Sequence, residues 1–222
     1  MSTGFTAQVA AVVERDLRRE RRRGDVFWVT IPFGAMALLL APLAIGTDSA
    51  LLQRIGPGLY WVIVMLFGVL VSVGRASAET QSQRDAVSLL GLDPAAGYVG
   101  RSISAAGLLI VFELVVGAVA VVLYGFDLIG IPWLAATLVI VALGLGLLGS
   151  LAASLVGSGS AGSALVPLLV APLTVPLLLG ATQAYEGLRL GDSILPWMLL
   201  MAAVVLVAAI AGVLTARPLQ ES

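Results

Sequence analysis

Six long apolar runs alternate with short polar stretches, and only two polar segments of any size remain, at 1–24 and 75–101. A helix of about 20 apolar residues covers the roughly 30 Å hydrocarbon core of a bilayer. The runs fall at 26–45, 55–74, 102–124, 131–156, 164–184 and 194–216. They predict an all-α integral membrane protein with six transmembrane helices in a single domain over 1–222. A loop at 46–55 carries Asp48 and Arg54, and 157–163 is a Gly/Ser turn. Pro32 and Pro42 are acceptable inside a packed bundle, where neighbours satisfy the freed backbone groups. No internal repeat is visible.

In the first polar segment Phe5, Val9, Val12, Val13 and Leu17 recur at helical spacing, and six arginines from Arg15 to Arg23 follow or flank them. A signal peptide has the reverse order, with charge first and then a short apolar run. The pattern predicts a helix lying in the cytoplasmic interface with its apolar side on the lipid. Its arginines would sit near anionic headgroups, offset in part by Glu14, Asp16, Glu20 and Asp25. A nucleic-acid reading of the arginine run is disfavoured, because a membrane span starts two residues after Gly24.

In the second segment, 79–90 can form a short amphipathic helix, which Asp93-Pro94 then ends, since proline disfavours helix in the residue before it. The segment is long for a chain that keeps its other loops minimal. Its apolar edge, Val87, Leu89, Leu90 and Leu92, needs covering. Both features favour a foothold for a partner over a plain solvated connection.

Six spans place both termini on one side. Ten of the twelve arginines belong to the N-terminal segment, the 75–101 segment and the C-terminus, and only Arg54 and Arg189 lie opposite. Positive charge marks the cytoplasmic side, so a cell membrane protein with cytoplasmic termini is expected. Phe27, Trp28 and Tyr98 are expected as an inner aromatic belt. Tyr60, Trp61, Tyr124, Trp133, Tyr185 and Trp197 are expected as an outer one.

Composition removes several chemistries. The chain has no cysteine, no histidine and no lysine among 222 residues, with 59% hydrophobic and 11% charged. Thiolate metal sites, Cys/His nucleophiles and a phosphate-binding loop ending in Gly-Lys-Ser/Thr are all excluded. The arginine-only usage itself needs no more than a GC-rich genome.

Glu113 is the one formal charge well inside a span. A carboxylate at that depth costs on the order of 3 kcal/mol, so it must face the bundle interior. It is read either as part of a substrate or proton path, or as a buried acid bonded to Ser/Thr or backbone of a neighbouring helix. Ala142, Gly146, Ser150 and Ser154 repeat every fourth residue, the spacing that lets two helices approach closely. Pro167, Pro172 and Pro176 interrupt the fifth span, and Thr182, Gln183, Tyr185 and Glu186 follow in the outer leaflet. Together Pro172, Pro176, Thr182, Gln183, Tyr185 and Glu186 form a candidate outer gate or re-entrant element. The plainer alternative is a kinked helix with a polar cap.

Taken in order, four stretches resemble the heme exporter protein B (CcmB) family. They are the arginine-rich start, 54–61 (RIGPGLYW), the polar segment with Arg75, Glu79, Arg84, Asp85, Leu89, Leu90, Asp93, Pro94 and Arg101, and 167–176 (PLLVAPLTVP) followed by Gly180, Ala181 and Thr182. Ala86 stands where the family usually has glycine, and 157–163 lacks the charges common in relatives. The resemblance implies an ABC export permease of the cytochrome c maturation pathway. It implies a separate ATP-binding subunit (heme exporter protein A type), holding ATP and Mg, docked on Arg75, Glu79, Arg84, Asp85, Val87, Leu89, Leu90, Asp93 and Pro94. A heme-handling subunit (heme exporter protein C type) and a small single-span subunit are implied as further partners, besides membrane lipids. No cofactor is expected on this chain. Heme would be cargo, its iron ligated elsewhere, since histidine is absent here. The competing readings are a permease for a lipid or drug, and an intramembrane enzyme using Glu113.

Overall fold

The computed structural model describes residues 4–46, 48–78, 93–156 and 160–216. These form seven α-helices: α1 Phe5–Arg23, α2 Ile31–Ile45, α3 Ser49–Ala78, α4 Pro94–Tyr124, α5 Ile131–Val156, α6 Ser160–Leu190 and α7 Leu195–Ala216. The last six are long and apolar enough to cross a membrane, the first of them counted together with the turn that precedes it.

Helix ends depart from the apolar boundaries, each for a local chemical reason. The run 26–45 is not one regular helix, because Asp25–Thr30 winds as a wider π turn. The Ile31 amide reaches back to the Val26 carbonyl, and Pro32 next to it has no amide proton. The wide turn keeps the proline ring clear of the carbonyl four residues back. The expected loop 46–55 is cut short, since α3 begins at Ser49 and Asp48 caps it. Its Oδ1 accepts from the Ala50 and Leu51 amides at 3.0 and 3.4 Å. Asp93-Pro94, read as a stop, begins α4. Asp93 is its N-cap, accepting from the Ala95 amide at 2.9 Å, and Pro94 occupies the first helical position, where a missing amide is harmless. The polar segment 75–101 is therefore shorter than expected, since α3 runs on to Ala78 and α4 has begun by Pro94. The fifth span also lengthens, to Leu190.

α4 is the central helix. Its buried face carries Tyr98, Leu109, Phe112, Val116, Ala120 and Tyr124, each 1% exposed or less. These pack on Val64 and Phe67 of α3, Leu38 of α2, Val141 and Leu145 of α5, and Met201 of α7. Phe67 and Phe112 rings lie 5.4 Å apart. Of the four-residue repeat on α5, Gly146 makes the close approach: a Cβ there would lie 2.7 Å from the Ser102 carbonyl oxygen and 3.1 Å from the Ala106 nitrogen. This is packing within the subunit.

The aromatic belt needs the largest correction. Tyr60, Trp61, Tyr98, Tyr124 and Tyr185 are all buried. Three of these tyrosines donate to backbone carbonyls of other helices. Tyr60 bonds to Glu113 at 3.0 Å, Tyr124 to Leu38 at 2.7 Å, and Tyr98 sits 3.0 Å from the Ala208 oxygen and 3.2 Å from the Leu147 oxygen. A phenol that must bury its ring and satisfy its hydroxyl does both best between helices. Phe27, Trp28 and Trp133 remain on the outside, as expected of belt residues.

Candidate functional site

The end of the bundle that holds α1 is tied together at α4. The amphipathic stripe of α1 covers the first turns of α4, so it is not free to face lipid alone. Val12 is buried, and a Cβ on Gly100 would lie 2.7 Å from it. Polar contacts flank that apolar seam. The Asp93 amide donates to Gln8 Oε1 at 2.9 Å, and the Ser104 hydroxyl donates to Asp16 Oδ2 at 3.2 Å. The end of the 79–93 stretch, the N-terminus of the central helix and α1 thus form one unit. Of the expected coupling residues, Asp93 and Pro94 are placed here, and Arg75 falls in the last turns of α3. Glu79, Arg84, Asp85, Val87, Leu89 and Leu90 lie outside the described residues.

Glu113 faces the interior and is fully buried. The hydrogen bonds expected for a structural acid are not made: neither Oε1 nor Oε2 has a partner. Its location follows from the register of α3 against α4. Gly68 lies beside Leu109, and Tyr60 beside Gly117, eight residues along each antiparallel chain. Midway between these contacts stand Val64 and Glu113, both fully buried. Glu113 therefore stands level with an aliphatic residue of α3. The Tyr60 hydroxyl is committed to the Glu113 main-chain oxygen.

On α6 the backbone stays helical through Pro167, Pro172 and Pro176, which corrects the re-entrant reading. Three carbonyls, those of Ser163, Leu168 and Pro172, nevertheless lose their helical donor, because proline has none. Pro172 is exposed and Pro176 half-buried. Further along, Thr182 donates to the Leu178 carbonyl at 2.8 Å, Gln183 is half-buried, and Tyr185 packs on Phe126 with ring centres 5.6 Å apart. Glu186 is exposed, 3.7 Å from Arg189, which also lies 3.8 Å from Asp127. A groove of about 350 Å³ runs between α3 and α6, lined by Gly58, Trp61, Val175, Leu178, Leu179 and Thr182. The gate candidates thus share one helix but not one cluster. Pro172 and Glu186 face outward, while Tyr185 belongs to an aromatic knot with Phe126, Tyr60 and Tyr124.

Among the described residues no three His, Cys, Asp or Glu side chains gather as a metal site would require. The buried tyrosine clamps are what sequence reading missed. Their depth was legible, but the side of the helix they occupy depends on the neighbours.

A helical bundle of six membrane-crossing helices, with an amphipathic helix fastened to one end and, among the described residues, a single acid sealed inside, is a multi-pass integral membrane protein. Residues 7–220 match the family model described as CcmB protein, and the chain belongs to that family. It is 30% identical over 211 residues to heme exporter protein B of Pseudomonas aeruginosa, covering 93% of this chain and 92% of the relative. It is 29% identical over 200 residues to heme exporter protein B of Paracoccus denitrificans, covering 88% and 90%. The same protein of Bradyrhizobium diazoefficiens is 28% identical over 188 residues, covering 82% and 83%.

Proposed function

We propose that this chain is the membrane permease subunit of an ATP-driven exporter that serves heme export, or heme-chaperone release, in cytochrome c maturation. The observation that carries this is the family match across 7–220, together with relatives of similar length named heme exporter protein B. The family match does not favour a permease for a lipid or drug.

In this reading the working parts run from the cytoplasmic side outward. ATP hydrolysis takes place on a separate subunit, which grips 79–93 through Leu89 and Leu90 and the charges of Arg75, Glu79, Arg84 and Asp85. The pull arrives at Asp93, which is bonded both to the α4 cap and to Gln8 of α1. α4 carries it to Glu113 and, through Tyr60 and Tyr124, to α3 and α2. On the opposite side α6 yields, because its three prolines leave it with fewer backbone bonds than a regular helix. Pro172, Pro176, Thr182, Gln183, Tyr185 and Glu186 form the part that opens. The heme iron is held by a partner subunit, and a heme-handling subunit and a small single-span subunit complete the assembly. Both termini face the cytoplasm in this reading, which the arginine distribution supports.

The test is complementation. Expressed in a bacterium lacking its own heme exporter protein B, together with the cognate partners, this chain should restore covalent heme staining of c-type cytochromes. Failure to restore it, with the protein present in the membrane at normal levels, would overturn the reading.

A further inference from the structure

The corner where α1 turns into α2 combines three features. First, the acids of α1 are occupied within the fold. Glu14 pairs with Arg18, Asp16 is bonded to Arg15 at 3.1 Å and to Ser104, and Glu20 accepts from the Val26 amide at 2.7 Å. Second, Arg21, Arg22 and Arg23 are exposed in the last turn of the helix, and no described carboxylate pairs with them. Third, the indole of Trp28 is laid over this turn. Gly24 adopts a left-handed φ of 70°, and a Cβ there would be 2.5 Å from Trp28 Cδ1, so only glycine permits both the turn and the contact. The indole itself is 82% exposed.

The sequence of chemistries is that of a headgroup boundary. Three guanidinium groups end the polar helix, and the apolar span begins three residues later at Val26. Phe27, Val29, Phe33 and Met36 then continue the outward apolar face. Arginines at a helix C-terminus also favour the helix dipole, but the dipole gives no reason for an indole to remain in the open beside them. An acidic protein would satisfy the charges and leave the apolar face uncovered. A lipid with an anionic headgroup satisfies both, with its phosphate on the planar guanidinium forks and its acyl chains against Phe27 and Phe33.

We propose that Arg21, Arg22, Arg23 and Trp28 form a binding site for an anionic phospholipid that selects for negative headgroup charge. The site requires α2 to span the membrane. It does not depend on what the protein transports, so its failure and that of the transport reading are distinguishable.

The full chain is placed in nanodiscs containing brominated lipid with either a phosphatidylglycerol or a phosphatidylcholine headgroup, at equal mole fraction. The Trp28 signal is taken as the difference between wild type and Trp28→Phe. Brominated phosphatidylglycerol should quench it about two-fold more strongly than brominated phosphatidylcholine, since basic residues concentrate anionic lipid at the surface. The ratio should fall to one in the Arg21→Gln/Arg22→Gln/Arg23→Gln variant and stay unchanged in Arg54→Gln. In the unmutated protein, salt at about 0.5 M should also lower it, a result that does not depend on any variant folding. Equal quenching by the two lipids in wild type, or a ratio unaffected by the triple substitution, would overturn the proposal.

Discussion

Tyr60 donates a 3.0 Å hydrogen bond to the main-chain oxygen of Glu113, while the carboxyl of that same glutamate has no partner. The bundle secures the backbone of α4 at this point and leaves the acid unpaired. Burying a polar group without a hydrogen bond costs free energy, so the acid is not there for stability. Glu113→Gln, of equal shape, should leave the thermal midpoint in detergent at or above the wild-type value, and Glu113→Leu should raise it. Both should reduce cytochrome c maturation if the acid serves transport. A clear drop in the midpoint of Glu113→Gln would mean that the carboxyl has a stabilising partner.

The Tyr60 clamp is expected to behave in the opposite way. Tyr60→Phe removes the hydroxyl and leaves a buried carbonyl with one bond fewer, a loss of about 1 kcal/mol. Chemical or thermal unfolding should record that loss. An unchanged midpoint would show that the bond contributes nothing.

Gly212 faces the Tyr98 ring so closely that a Cβ could not be added without moving it. Gly212→Val should therefore push Tyr98 off the Ala208 and Leu147 carbonyls and separate α7 from α4. Overpacking of this kind costs about 1–3 kcal/mol. The check is the yield of monodisperse protein, together with faster amide exchange in α7. Wild-type exchange in α7 would contradict the packing described.

The docking of α1 rests on Val12 against Gly100. Gly100→Ile should lift α1 from α4, accelerating its amide exchange by on the order of tenfold or more, as a loss of about 1–3 kcal/mol predicts. The spans α5 to α7 should keep their protection. If α1 remained as protected as before, its attachment would lie elsewhere.

The parts of this fold that were legible in the sequence are those governed by bulk transfer energy. The apolar runs located all six spans, and a lone acid at mid-span had to point inward, as Glu113 does. Boundaries set by a single side chain were missed. Asp48 and Asp93 look like loop residues until they are seen holding the first amides of α3 and α4. Residues 94–101 were read as loop because Arg101 and two glycines dilute their apolarity, whereas in the fold α1 covers them. The tyrosines were assigned to belts from depth alone. Whether a ring at that depth faces lipid or a neighbouring carbonyl depends on helix rotation, which a single span does not encode. In the candidate site, Asp93 and Pro94 read from the sequence as the end of a helix, whereas they begin one.

The most direct measurement is ATP hydrolysis by the complex purified with its native ATP-binding subunit. Leu89→Glu/Leu90→Glu should leave the membrane bundle folded, release or uncouple that subunit, and return its hydrolysis to the rate it shows alone. Full stimulation by the doubly substituted chain, or purification of the intact chain from native membranes with no ATP-hydrolysing partner, would contradict the account.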